Sequence, residues 1–317
     1  MEHGTYAVDP EPFGGPWRRW AEVGDEEAAA RGVFAPVEVV SYGPAGAVVV
    51  APGDVRGTVL IPEQCEGCCF GISGATGPNL ACEACGREVA TRVDDCSLWQ
   101  GVWLDPRSVR RVRGPRPGVA GWDELATRWS AAPLIESHRI WWSGTGLVDT
   151  WSLRWAAAAG VALVDLLIAA DAEPVGLPGD SLLTELFGTA LDRFLPAGRP
   201  TRTVGLAGPG VDSGADIVVV PVHPQTGEAW RPERTAGAVP LDAEVWLHLA
   251  FGAPEWESLP VPASGGMPEG VWRDYSWPRP PGTSLLRLDP WVFLHRLARH
   301  PAVREPWLRA IYDQGFF

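Results

Sequence analysis

Val37-Glu38-Val39-Val40, Ala47-Val48-Val49-Val50 and Thr58-Val59-Leu60-Ile61 are three short β-branched runs, separated by Gly and Pro, within residues 37–61. Apolar runs of this length between turn formers predict β-strands. Leu98-Trp99-Gln100-Gly101-Val102-Trp103-Leu104 and Ser108 to Val112 extend the pattern downstream. Beyond residue 120 the periodicity changes. Gly121 to Ser130 reads as a helix, and Thr150 to Ala170 as a long helix whose all-round apolarity implies deep burial. Leu182, Leu183, Leu186, Phe187, Ala190, Leu191, Phe194 and Leu195 recur at helical spacing between the cap candidates Asp180-Ser181 and Pro196. Asp289-Pro290 is a helix start, a cap followed by proline in the first turn, and two closing helices are expected at 290–299 and 305–314. Ser137 to Trp142, Asp216 to Val222 and Ala243 to Phe251 read as further strands. The fold class is therefore α+β. An acidic extension covers 1–32, with one short helix near Asp25 to Arg31. A β-rich domain covers 33–120, and a helical and mixed α/β domain covers 121–317.

A chain of 317 residues is long enough for about two domains. With 46% hydrophobic and 21% charged residues it can bury a core. The net charge of −13 disfavours unspecific adhesion to DNA or to an anionic membrane. All 26 basic residues are arginine. Mechanisms that need a lysine of this chain are thereby excluded: a Walker loop, a pyridoxal Schiff base, the ATP-pairing lysine of a protein kinase and the Ser-x-x-Lys of a β-lactamase. Gly-x-Ser-x-Gly, His-Glu-x-x-His and Gly-x-Gly-x-x-Gly are also missing. Met1 to Thr5 is polar and acidic, unlike a secretory leader. The most apolar stretch, Trp155 to Ala170, is shorter than the roughly 20 residues of a bilayer span and contains Asp165. The expectation is a cytoplasmic protein without membrane contact.

Six cysteines fall in one segment: Cys65, Cys68, Cys69, Cys82, Cys85 and Cys96. In a reducing cytoplasm they are not expected to form structural disulfides. Two Cys-x-x-Cys pairs can supply four thiolates, a set that suits one tetrahedral zinc ion. Cys65-Glu66-Gly67-Cys68 and Cys82-Glu83-Ala84-Cys85-Gly86 resemble the two knuckles of a zinc ribbon, over residues 60–105 only. The resemblance implies one structural Zn2+ held by Cys65, Cys68, Cys82 and Cys85, on a short β-hairpin inserted between strands. A closed four-thiolate site leaves no coordination position for water, so that metal would brace the fold. Arg87 and Arg92 could moderate its charge or simply be solvated. Cys69 and Cys96 read as small buried hydrophobes, with a swap into the ligand set left open.

Residues 107–116 form the one basic run, and residues 86–118 carry seven arginines against four acids. Arg107, Arg110, Arg111 and Arg113 are the candidate contact to a protein or to nucleic-acid phosphates, unless they form a solvated strand face. His223 follows a predicted strand, and His248 lies within another, opposite Val245, Leu247 and Leu249. If those strands are neighbours, Asp216, His223 and His248 could converge for acid–base work, or the histidines could be structural. Gly205, Gly208, Gly210 and Gly214 precede a strand rather than a helix, which argues against a phosphate cradle. The 17 tryptophans are read chiefly as core. Two functions are expected from these features. The first is a zinc-supported interaction module working through the basic run. The second is an enzyme, possibly a hydrolase, with its site in the C-terminal half.

Overall fold

The computed structural model describes residues 18–41, 47–50, 55–65, 71–72, 74, 76–95, 101–112, 118–128, 137–138, 153–232, 237–252, 275–276 and 288–315. The fold is mixed α+β, with an antiparallel sheet in the first half and a parallel sheet in the second. At the amino-terminal end, β1 (Arg18–Arg19) leads into α1 (Trp20–Ala30) and pairs antiparallel with β2 (Val39–Ser41). Gly24, at φ 73° and ψ 173°, breaks this element: a first turn, in which the Glu22 carboxylate accepts the Arg19 N–H at 3.3 Å, precedes the helix expected near Asp25 to Arg31. Residues 34–40 are tied to the far end of the chain. Phe34 N–H donates to the Ala298 carbonyl at 2.7 Å, Arg299 donates to the Val40 carbonyl at 3.3 Å, and the Tyr312 hydroxyl donates to the Pro36 carbonyl.

The antiparallel sheet consists of β3 (Val48–Val50), β4 (Thr58–Leu60), β5 (Gly71–Ile72), β6 (Leu80–Cys82), β7 (Glu88–Asp95) and β8 (Gly101–Leu104). Its order is β3-β8-β7-β6-β4, and β5 pairs with the last residues of β7. Leu80, Ala90 and Val102 form its buried face, with Val50, Leu60 and Leu104 against them. Buried Asn79 completes the ladder where β6 and β7 slip register: its amide donates to the Arg92 carbonyl at 2.9 Å and accepts the Arg92 N–H at 2.6 Å. Those two bonds satisfy backbone groups that would otherwise be orphaned in the interior. Beyond β8, Ser108 to Val112 are not the strand that alternation suggested. The Asp105 carboxylate accepts the Arg107 N–H at 2.9 Å, and the Asp105 carbonyl accepts the Ser108 and Val109 N–H groups at 3.0 Å each. An aspartate that captures its own downstream amides makes a turn, and residues 110–112 continue from it without regular structure.

The second half comprises α2 (Trp122–Arg128), β9 (Ser137–His138), α3 (Leu153–Ala170), β10 (Val175–Gly176), α4 (Leu182–Phe194), β11 (Arg202–Gly208), β12 (Val211–Asp212), β13 (Ile217–Val222), β14 (Gly237–Asp242), α5 (Ala243–Phe251), β15 (Tyr275–Ser276), α6 (Pro290–Ala298) and α7 (Pro306–Gln314). Strands β10-β11-β13-β14 are parallel in that order, β12 folds back antiparallel on the end of β11, and β9 pairs with β15. Val204, Ile217, Val219, Val239 and Leu241 face the main core with α3, α4, α5 and α6. Ala207, Val218 and Val220 face the other way and are covered by Ala229 and Trp230. Burial on both faces is why β13 reads as an unbroken apolar run. Gly160 lets α3 meet the start of α6, since a Cβ there would lie 2.7 Å from the Asp289 carbonyl oxygen. On the same helix, burial raises the pKa of Asp165, and Arg296 at 3.5 Å partly offsets that.

The start of α4 is capped by Ser181, whose hydroxyl accepts the Thr184 N–H. The start of α6 is capped by Asp289, which accepts the N–H groups of Trp291 and Val292. Residues 243–251 form a helix and not the expected strand. The Asp242 carboxylate accepts the Glu244 N–H at 2.9 Å and starts it, and Gly252 ends it at φ 75°. No helix among the described residues is long and apolar enough to cross a membrane.

Candidate functional site

A pocket opens at the carboxyl ends of the parallel strands. Its lining comes from four places: Pro209 just past β11, Pro221 and Pro224 at the end of β13, Ala243, Trp246 and Leu247 from the first turns of α5, and Trp122 and Leu125 from α2. It is a shallow concavity: the space between these side chains is about 310 Å3 only when open solvent is counted, and little of that is walled in. The carboxyl edge of a parallel sheet is the usual place for α/β ligand sites. Here the strand order does not reverse. The concavity is instead made by the loops after β11 and β13 standing beside α5.

Each wall is held by identifiable bonds. Trp246 is fully buried, and its indole N–H donates to the Val219 carbonyl at 2.8 Å. The ring lies directly on Gly208, where a Cβ would come within 2.3 Å of Cζ2. Gly205 and Gly208 thus lie within β11 and serve close packing; they do not form a phosphate-binding loop. The opposite wall, Trp122, is placed by His223. Nε2 of His223 lies 2.9 Å from the Ala120 carbonyl, and Nδ1 accepts the N–H groups of Gln225 at 3.1 Å and Thr226 at 3.3 Å. Two backbone donors at Nδ1 require its lone pair, so the proton sits on Nε2 and is donated to Ala120. The Gln225 side chain accepts the Ala120 N–H at 2.8 Å, which doubles the tether. The Trp122 ring then meets the His223 imidazole edge-on, with centroids 5.0 Å apart.

The three acid–base candidates do not assemble into one site. Asp216 precedes β13 and His223 follows it, so the six-residue strand sets them about 20 Å apart. Asp216 is exposed and accepts both the N–H and the hydroxyl of Thr203, which hold its carboxyl below the usual range. It clamps β13 to β11. His223 uses both ring nitrogens structurally. His248 lies on a helix, buried against the Trp155 ring at 5.3 Å, and burial pushes its pKa down to about 4. Of the basic run, Arg107 is engaged by Asp105 at 3.2 Å, whereas Arg110 and Arg111 are exposed and make no ion pair among the described residues. Arg113 lies outside the described residues.

Compared with known proteins, the chain matches no family model, no curated protein and no solved structure. The zinc-ribbon reading is therefore corrected. Among the described residues, no three or more His, Cys, Asp or Glu side chains come together as metal ligands. The path of the chain between the pairs gives the physical reason. Strands β4 and β6 run antiparallel with Thr58 opposite Cys82 and Leu60 opposite Leu80. Past Leu60 the chain turns at Pro62–Gln64 before it reaches Cys65, and Cys65, Cys82 and Cys85 do not come together as a ligand set. The Cys65 thiol donates to the Ile61 carbonyl at 3.1 Å, and burial raises its pKa. Among the described residues, Cys65, Cys82 and Cys85 form no shared metal site. Cys68, Cys69 and Cys96 lie outside the described residues.

What sequence reading missed is the pocket itself. Pro221 fell inside a strand reading, and Trp122 and Leu125, more than 80 residues upstream of the other lining groups, carried no signal of His223.

Proposed function

We propose that the chain is a binding protein for a small, uncharged, apolar ligand or ligand group, seated in the pocket between α2 and α5. One observation carries this reading: the pocket at the carboxyl edge of the sheet is walled by two tryptophans, three prolines, two leucines and an alanine, with no charged side chain among the described residues. Such a wall favours a flat apolar group through contact area and gives nothing to a charged one. Asp216 and His223 stand at opposite ends of β13, too far apart to share an acid–base step. The expected result is saturable binding of naphthalene in ligand-observed NMR and much weaker binding of naphthalene sulfonate. Ala243→Phe, which fills the pocket from its edge, should weaken binding at least about tenfold. Equal affinity for both probes, or an Ala243→Phe variant that binds like the parent, would sink the reading.

A second reading, contact with a polyanion, is supported by the exposure of Arg110 and Arg111 without ion pairs among the described residues. In the cytoplasm the partner would be a nucleic acid or an acidic protein surface. Binding to a single-stranded oligonucleotide should then weaken steeply with salt. Replacing both arginines by alanine should lower the slope of log K against log salt by about 1.4. An unchanged slope removes this reading.

A further inference from the structure

Among the described cysteines, Cys82 and Cys85 share one short turn and Cys65 does not join them. Cys82 ends β6 and Cys85 sits in the turn to β7. The turn is tight: Gly86 N–H donates to the Cys82 carbonyl at 2.8 Å, Cys82 N–H donates to the Arg87 carbonyl at 2.8 Å, and Gly86 takes the left-handed conformation at φ 70° that closes it. A helical turn of this kind brings positions three apart to Cβ separations of about 5–6 Å. A disulfide needs about 3.5–4.5 Å, a small adjustment for an exposed turn. The Cys85 side chain is close enough to the Cys82 sulfur to act on its proton affinity. The backbone at Ala84 and Cys85 and the Cys85 side chain hold the Cys82 thiol below its ordinary range, against partial burial and the charge of Glu83. Cys85 is exposed and Cys82 is partly so. Low-pKa, accessible thiols with a resolving cysteine beside them are the ones that exchange.

We propose that Cys82 and Cys85 form a thiol–disulfide exchange site that takes low-molecular-weight disulfides as its oxidant. The Cys82 thiolate attacks one sulfur of the small disulfide, forming a mixed disulfide and expelling one thiolate, which takes up the proton Cys82 released. Cys85 then loses its proton and attacks the Cys82 sulfur. The Cys82–Cys85 bond forms, the second small thiolate leaves, and it takes up the Cys85 proton. The protein dithiol is oxidised by two electrons, and one small disulfide becomes two thiols. Cys65, buried and bonded to the Ile61 carbonyl, stays reduced and serves as an internal control.

The test uses the full chain, reduced and then equilibrated against mixtures of glutathione and glutathione disulfide. Free thiols are trapped with iodoacetamide and mapped by peptide mass spectrometry. The expected product is a Cys82–Cys85 disulfide with Cys65 alkylated. At neutral pH, Cys82 should alkylate at least about tenfold faster than Cys65. In Cys85→Ser the mixed disulfide of Cys82 with glutathione should accumulate, since nothing resolves it. The proposal is overturned if Cys82 pairs with a different cysteine, if it stays reduced in every mixture, or if a copurified metal ion shields both thiols. The wild-type mapping decides the matter even if the variant fails to fold.

Discussion

Unfolding titrations in urea should show the protein losing about 3 kcal/mol of stability between pH 7.5 and 4, with His248→Leu removing that loss. Burial holds the folded pKa of His248 at about 4, against 6.5 for an unperturbed histidine. Between those values the unfolded chain binds a proton that the folded chain refuses. Stability therefore rises with pH across the window, is complete above about 6.5, and falls as the pH drops towards 4. About two and a half pKa units at 1.36 kcal/mol each set the scale. That is a large share of a typical 5–15 kcal/mol total. Asp165 and Asp289, whose pKa values are raised by burial, act in the opposite sense at the lower end of the window. The difference between wild type and His248→Leu isolates the histidine from them. If both curves keep the same slope from pH 6.5 to 4, His248 is not the neutral buried group described above.

The elements legible in the sequence were those with a local chemical punctuation mark. Asp289 before Pro290 and Ser181 before an apolar helical stripe both act as written, through side-chain oxygens that accept first-turn amides. Strand β13 was legible as an apolar run because both of its faces are covered. The same fact concealed α5: Val245, Trp246, Leu247, His248 and Leu249 are all buried, so no polar face remained to display a helical period. Its marker was Asp242, whose carboxylate starts the helix. Val109, Arg110, Arg111 and Val112 mimicked strand alternation, while the deciding group was Asp105, outside the run. The cysteine spacing failed for a different reason. A Cys-x-x-Cys count says nothing of the path between the pairs, and the turn at Pro62–Gln64 places Cys65 where it forms no ligand group with Cys82 and Cys85. The pocket was illegible throughout, because its walls meet through a histidine that bonds to a backbone carbonyl 103 positions away.

The contact between Gly208 and Trp246 should dominate the stability of the parallel sheet's carboxyl edge, and a double-mutant cycle should reveal it. A methyl group at position 208 would lie 2.3 Å from Cζ2 and 2.6 Å from Cη2 of the indole, and 3.0 Å from Cδ of Pro221. The ring has little freedom to retreat. It is fully buried, its N–H is bound to Val219, and Phe251 meets it edge-on with centroids 6.1 Å apart. Gly208→Ala should therefore cost about 1–3 kcal/mol through overpacking. Trp246→Ala should cost about 3–5 kcal/mol as a cavity in the main core. Trp246→Phe is the informative partner, because it removes the ring atoms that the new methyl would strike. In that background Gly208→Ala should lose most of its penalty, a coupling of about 1–2 kcal/mol by urea unfolding. Strictly additive losses would mean that the strand yields at Gly208 and that the indole is not what requires a glycine there. With coupling, the same pair also sets the pocket's shape, since Trp246 is one of its walls. Naphthalene affinity in the double variant should then fall even where stability recovers, because the wall loses area that the methyl group does not restore.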